Sequence, residues 1–284
     1  KNHTVIIDED ILQLQIFNRM YQVSEACLEE LEKKKIPGYS DIASGMLRTG
    51  RGEYQRMEPV RYIRPLSEEE LGGLEQSGPD DNVNDLACAG AFIRMRDRAT
   101  GKEEGKYFCP SELPRMKYII LSATFSSEIY SRYFGRKMPV YTYQEKKAAY
   151  RGHLQQYTCH SLGRTDLQNR MEIFPMIRRM TGNPKLDIIT FKMFEGLEEA
   201  GCLNSAGIHF GNSTGVNSLS GKDLAIIGTP YKADEYHKLL ACYLGENVNG
   251  KGDKRPALRR VEYQGNSFLI TTYRSPLLKE IQLH

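Results

Sequence analysis

Two rhythms of apolar positions run through the chain. Short apolar runs at Thr4-Val5-Ile6-Ile7 and Tyr118-Ile119-Ile120-Leu121 predict buried strands, and Leu186–Phe191 and Leu224–Gly228 predict two further strands. Helical spacing recurs between them. Ile11, Leu12, Ile16, Met20, Val23, Cys27 and Leu31 predict a helix from residue 9 to about 35, with Lys33-Lys34-Lys35 suiting its C-terminus and Pro37-Gly38 stopping it. Residues 38–85 are Gly-rich and charged, with helical potential at 39–48 and 67–76 and a Gly-Pro-Asp-Asp-Asn loop at 78–82. Residues 88–95 and 105–109 predict a hairpin around Arg98-Ala99-Thr100-Gly101.

Beyond Leu121, a short helix is expected at 126–135, closed by Gly135, and then a strand from Met138 to Tyr143. The polar stretch that follows makes 137–152 the expected interdomain linker. A second alternating pattern comes next. It comprises strands at 154–159, 186–191, 206–210 and 224–228, helices at 165–181, 193–200 and 233–244, and a terminal hairpin at 258–274 turning at Gly265-Asn266. The expected division is therefore a first domain at 1–136, carrying an insertion at about 36–112, and a second at 153–284. The insertion is expected to be mostly helical with one hairpin and to sit on the surface, either contacting a ligand or serving as a structural cap.

Composition narrows the class only slightly. The 284 residues are 40% hydrophobic and 26% charged, ordinary values for a globular chain of two domains. No apolar run reaches the roughly 20 residues of a membrane span and no signal peptide opens the chain, so a cytoplasmic location is expected. Cysteines 27, 88, 109, 159, 202 and 242 are scattered without Cys-x-x-Cys spacing, which argues against a zinc ribbon, a redox pair or an iron–sulfur cluster. The histidines form no ligand set. A net charge of +3 does not by itself indicate nucleic acid. Basic residues do gather at 146–192, and again at Lys251, Lys254, Arg255, Arg259 and Arg260; such clusters are either solvated faces or phosphate contacts.

Candidate chemistry lies at the strand ends. Asp8-Glu9-Asp10 follows the first strand directly, and ligands of open α/β sheets bind at that edge. The plain alternative is a set of solvated acids capping the next helix. Ser122-Ala123-Thr124 follows the second run in the same way, with a helix N-cap as its plain alternative. Together these two strand ends resemble motifs II and III of superfamily 2 helicases, the DEAD/DEAH-like nucleic-acid motors. Leu186–Lys192 resembles motif IV, and His209-Phe210-Gly211-Asn212-Ser213-Thr214-Gly215-Val216-Asn217 resembles motif V.

The resemblance implies an α/β architecture of the P-loop NTPase type. Two RecA-like parallel-sheet domains, both incomplete, would grip single-stranded nucleic acid, DNA ahead of RNA. ATP and Mg²⁺ are the implied cofactors. Asp8 would hold Mg²⁺ through water, Glu9 would polarise the attacking water, and Ser122, Ala123 and Thr124 would couple nucleotide state to domain closure. Thr190, Lys192, Ser213, Thr214, Gly215 and Asn217 would contact nucleic acid or nucleotide, although Asn217 stands where many members have Asp. The Gly/Asn/Ser loop at 211–217 is otherwise an ordinary turn.

Two helicase motifs are absent. The chain holds no Gly-x-x-x-x-Gly-Lys-Ser/Thr, since Gly221-Lys222-Asp223 lacks both the spacing and the hydroxyl, and no Gln-x-x-Gly-Arg-x-x-Arg. Both would fall outside its ends, so the chain reads as a piece of a longer polypeptide. Such a piece is not expected to hydrolyse ATP alone at a useful rate, because the missing groups neutralise the developing charge. A non-catalytic nucleic-acid-binding or scaffold module is the alternative. A two-metal nuclease using Asp8 and Asp10 would need further acids that are not evident.

Overall fold

A computed structural model describes residues 4–8, 16–17, 20–60, 63–97, 100–111, 113–122, 125–141, 153–157, 162–194, 207–212, 217–229, 232–250, 252–263 and 266–283. The chain divides into two compact units, Lys1–Ala148 with Ala233–His284, and Ala149–Lys232. The architecture is mixed α/β, with small parallel and larger antiparallel sheets.

The first unit is built on a four-stranded antiparallel sheet. Its strands are β2 (Met20–Ser24), β3 (Tyr54–Arg56), β4 (Ala91–Arg96) and β5 (Glu103–Phe108), in the order β2-β5-β4-β3. Side chains alternate across it with a period of two. Val23, Phe92 and Tyr107 face one core with α1 (Glu25–Lys34) and α2 (Tyr39–Arg48), while Ala91, Ile93 and Phe108 face a second core with α7 (Asp234–Tyr243). α1 starts abruptly at the end of β2 because Ser24 caps it, its Oγ accepting the Cys27 N–H at 3.3 Å. Asp81 fixes that junction by accepting the Ser24 N–H (2.6 Å) and hydroxyl (2.7 Å).

Two expectations change here. Residues 20–24 are a strand, not the middle of a 9–35 helix, because their backbone groups pair with Glu104–Phe108. The expected hairpin exists, but β4 and β5 form the middle of the sheet, with Phe92 and Tyr107 buried, and do not rest on the surface. Helix α2 stands where expected, and a short helix α3 (Glu68–Gly72) begins at Ser67 with a capping box to Glu70.

β1 (Thr4–Asp8) and β6 (Lys117–Leu121) form a separate parallel pair, with Ile6 opposite Ile119 and Asp8 opposite Leu121. One face of this pair is covered: Ile7 and Ile120 pack against the core that holds Ile129 and Tyr130 of α4 (Ser127–Phe134) and Leu277, Leu278 and Ile281 of α8 (Pro276–Leu283). The other face, expected to be buried, is partly open to solvent, with Ile6 66%, Ile119 41% and Leu121 51% exposed. α4 ends at Gly135 in the left-handed conformation (φ 62°), as expected for a C-terminal glycine. β9 (Ala257–Tyr263) and β10 (Asn266–Thr272) make the expected terminal hairpin; its turn is only partly described.

Residues 233–284 were expected in the second domain, yet they pack with the first unit. Tyr236 donates its hydroxyl to the Phe17 carbonyl at 2.6 Å, and Asn249 exchanges two hydrogen bonds with the Tyr54 backbone.

The second unit contains α5 (Arg164–Gln168), α6 (Ile173–Thr181) and a short parallel pair of strands, β7 (Asp187–Ile189) and β8 (Leu224–Ile226). Leu167, Phe174, Ile188, Phe191, Phe194 and Ile227 form its core. The expected continuous helix at 165–181 is two helices. Pro175 fits the first turn of α6, but in an unbroken helix its ring would meet the carbonyl of Met171. The expected strands at 138–143, 154–159 and 206–210 are not strands over described residues 138–141, 154–157 and 207–209; of the expected 193–200 helix, residues 193 and 194 belong to a 3₁₀ turn at Lys192–Phe194 and 195–200 lie outside the described residues. Among the described residues no helix is long and apolar enough to cross a membrane.

Candidate functional site

Parallel pairing of β1 with β6 decides where the strand-end residues lie. Both strands run in one direction with Asp8 opposite Leu121, so Asp8 and Ser122 emerge at the same carboxyl edge. This is the edge at which open α/β sheets bind ligands. Glu9, Ala123 and Thr124 lie outside the described residues. Ser122 is half-buried and does not cap the following helix. That role belongs to Ser126, whose Oγ accepts the Ile129 N–H at 3.3 Å, with Phe125 stacked on Tyr130 at 4.7 Å. The plain N-cap explanation for Ser122 is thereby removed.

In the second unit β7 and β8 are parallel as well, and Thr190 follows β7 at the corresponding edge. Its carbonyl accepts the Phe210 N–H at 2.8 Å, tying the 207–212 loop to the strand end. Its side chain, however, is fully buried, and the hydroxyl has no hydrogen-bond partner among the described residues. Lys192 is exposed on the 3₁₀ turn and Asn217 is exposed; Ser213, Thr214 and Gly215 lie outside the described residues. Phe191 fills the space beside Gly228, where a Cβ would sit 2.8 Å from its ring and φ is +99°. Phe210 meets Phe191 edge-on at 5.1 Å, and Asn212 accepts the His209 N–H at 2.7 Å. The loop after the strand end is thus stapled by one aromatic contact and one Asn turn.

No protein-family model, curated protein or solved structure matches this chain.

The donor set bears on what the first edge could hold. Among the described residues no group of three or more His, Cys, Asp or Glu side chains could hold a metal ion. The acids that follow β1 in the sequence are carboxylates, the donor type of Mg²⁺, which takes one or two of them plus substrate phosphates and keeps several waters. Two shallow cavities of about 280 and 290 Å³ flank Ile63 beside α2, and no candidate residue lines either.

Groups with displaced acidity include several in the cores of the first unit. Burial pushes the Cys27 thiol up to about 12, the Cys242 thiol up to about 11 and the Tyr236 phenol up to about 12. Thiols held in that state are poor nucleophiles. The Arg64 guanidinium, gripping Glu70 through two 2.6 Å hydrogen bonds, holds that carboxyl down to about 2. Sequence reasoning missed one buried polar chain. Tyr273 donates to Asp234 Oδ1 at 2.5 Å and lies 3.2 Å from His237 Nδ1, and Lys238 pairs with Asp234 at 2.7 Å. The spacing Asp234, His237, Lys238 on one helix was visible, but its partner Tyr273 lies across the long hairpin. His237 and Tyr273 are buried, while Asp234 and Lys238 stand partly exposed at the outer end of the chain.

Proposed function

We propose that residues 1–284 belong to an ATP-dependent nucleic-acid motor, a helicase or translocase of the superfamily 2 type. The observation that carries the proposal is the β1–β6 register, which gathers Asp8 and Ser122 at one carboxyl edge. The second parallel pair, with Thr190 and the tethered 207–212 loop at its own carboxyl edge, supports it as a further strand-end of the same type. Two RecA-like domains would then present Asp8-Glu9 and the Ser213–Asn217 loop to nucleotide and single-stranded nucleic acid. When bound, Mg²⁺ would neutralise phosphate charge; Asp8 would position its water shell and Glu9 would orient the attacking water.

The chain carries no phosphate loop, so hydrolysis requires one from outside residues 1–284. That absence favours a second reading, a nucleic-acid-binding module without ATPase activity. The test is ATP turnover of the full-length protein with and without single-stranded DNA and RNA, beside Glu9→Gln. The motor reading expects nucleic-acid-stimulated turnover, reduced at least a hundredfold in Glu9→Gln, within the range typical of lost general-base catalysis. Unchanged turnover in the variant removes Glu9 from the mechanism, and binding without turnover favours the module.

A further inference from the structure

One of the two basic clusters of the sequence falls on an element that the nucleotide chemistry does not use. β9 and β10 form a two-stranded antiparallel ribbon that pairs with no other strand among the described residues. At 7 residues per strand it is about 23 Å long. Its base is fixed. The Arg274 and Ser275 N–H groups both donate to the Asp253 carbonyl at 3.1 Å, Gln282 donates to the Thr271 carbonyl at 2.8 Å, and Thr272 and Tyr273 are buried.

Arg255 and Arg260 are exposed on and beside this ribbon. Lys254 and Arg259 are half-buried and partly engaged, donating to the Asn249 and Thr272 carbonyls at 2.9 and 3.2 Å. Of the neighbouring acids, Asp253 is matched by Arg274 at 3.3 Å, which leaves Glu262 against the cations. Charges on open strands also deter edge-to-edge pairing, but either sign would serve that purpose, and the surplus here is positive.

We infer that the β9–β10 ribbon is a contact surface for the phosphate backbone of nucleic acid, with Arg255 and Arg260 as its principal contacts. Guanidinium groups match phosphate oxygens in pairs, and a two-stranded ribbon is narrow enough to enter a major groove or follow a single strand. Leu258, 64% exposed on the same face as Arg260, adds an apolar surface on which a sugar ring can rest. Contacts of this kind position the chain without reading sequence. The inference rests on the nucleic-acid partner of the motor proposal and is independent of ATP hydrolysis.

Fluorescence anisotropy with labelled oligothymidylate over a salt series tests it on the full chain. The variants are Arg255→Gln/Arg260→Gln, the charge-keeping Arg255→Lys/Arg260→Lys, and the control Lys33→Gln/Lys137→Gln at exposed positions elsewhere. The slope of log affinity against log salt should become shallower by about 1.4 in the Gln variant, at about 0.7 per lost single-strand phosphate contact. It should hold in the Lys variant and in the control. An unchanged slope in the Gln variant, or an equal loss in the control, overturns the ribbon contact and leaves the motor proposal standing. If the Gln variant loses binding to phosphatidylserine vesicles but keeps its oligonucleotide slope, the ribbon is a membrane surface and the inference fails. A chain that binds no oligothymidylate overturns both the ribbon contact and the nucleic-acid partner.

Discussion

Tyr236→Phe tests the packing of residues 233–284 onto the first sheet. The substitution keeps the buried ring and removes only the hydroxyl that donates to the Phe17 carbonyl at 2.6 Å. Both residues are buried, so the carbonyl loses a partner in a place that water does not readily reach. Such an orphaned acceptor costs about 1–3 kcal/mol, more than the roughly 1 kcal/mol net worth of an ordinary hydrogen bond. At about 2 kcal/mol, a unit of about 200 residues should melt about 4–8 °C lower. The assay is thermal unfolding followed by circular dichroism, with urea unfolding as a second measure. There is also a pH signature. Burial raises Tyr236 from its ordinary value of 10.0 to about 12, so the stability it contributes is present below pH 10 and is lost as pH rises toward 12. The gap between wild type and variant should therefore be widest near neutrality and close through that alkaline window. A melting point lowered by less than about 1 °C would show that α7 does not dock on Phe17 in solution.

Two further outcomes are expected. Thr190→Val replaces a buried hydroxyl that has no partner among the described residues, so stability should stay within about 0.5 kcal/mol or rise, read by urea midpoint; a loss of 2 kcal/mol or more would mean that the hydroxyl is bonded. Alkylation with iodoacetamide at mildly alkaline pH, mapped by peptide mass spectrometry, should label exposed Cys88 well before Cys27 and Cys242, whose thiols burial keeps protonated, and simultaneous labelling would contradict the packed cores.

What the residues revealed in advance was mostly local. The apolar runs at 4–7 and 118–121 were legible as strands, and their parallel pairing agrees with the α/β expectation. Gly135 closed its helix as a left-handed cap must. The misreading at Met20–Ser24 has a long-range cause: those residues continue the helical spacing from Ile11, but Glu104–Phe108, 80 to 88 positions away, claims their backbone groups. Two local signals were present and went unused. Pro175 forbade a continuous 165–181 helix, and Ser275-Pro276 followed by Leu277, Leu278 and Ile281 announced α8. The placement of 233–284 was not legible, because the contacts that decide it pair α7 and the loop after it with residues some 200 positions earlier. At the candidate site the strand ends were readable and the burial of Thr190 was not, since it depends on the loop that folds over it.

The uncovered side of the β1–β6 pair has a consequence for the acids at its tip. Fully covering an Ile or Leu side chain is worth about 1.5–3 kcal/mol, and three of them stand partly in water here. A domain's whole margin of stability is only about 5–15 kcal/mol, so hydrocarbon laid against Ile6, Ile119 and Leu121 would stiffen a two-strand ladder that is marginal by itself. Apolar cover on that rear face would therefore add to the stability of the ladder that ends at Asp8.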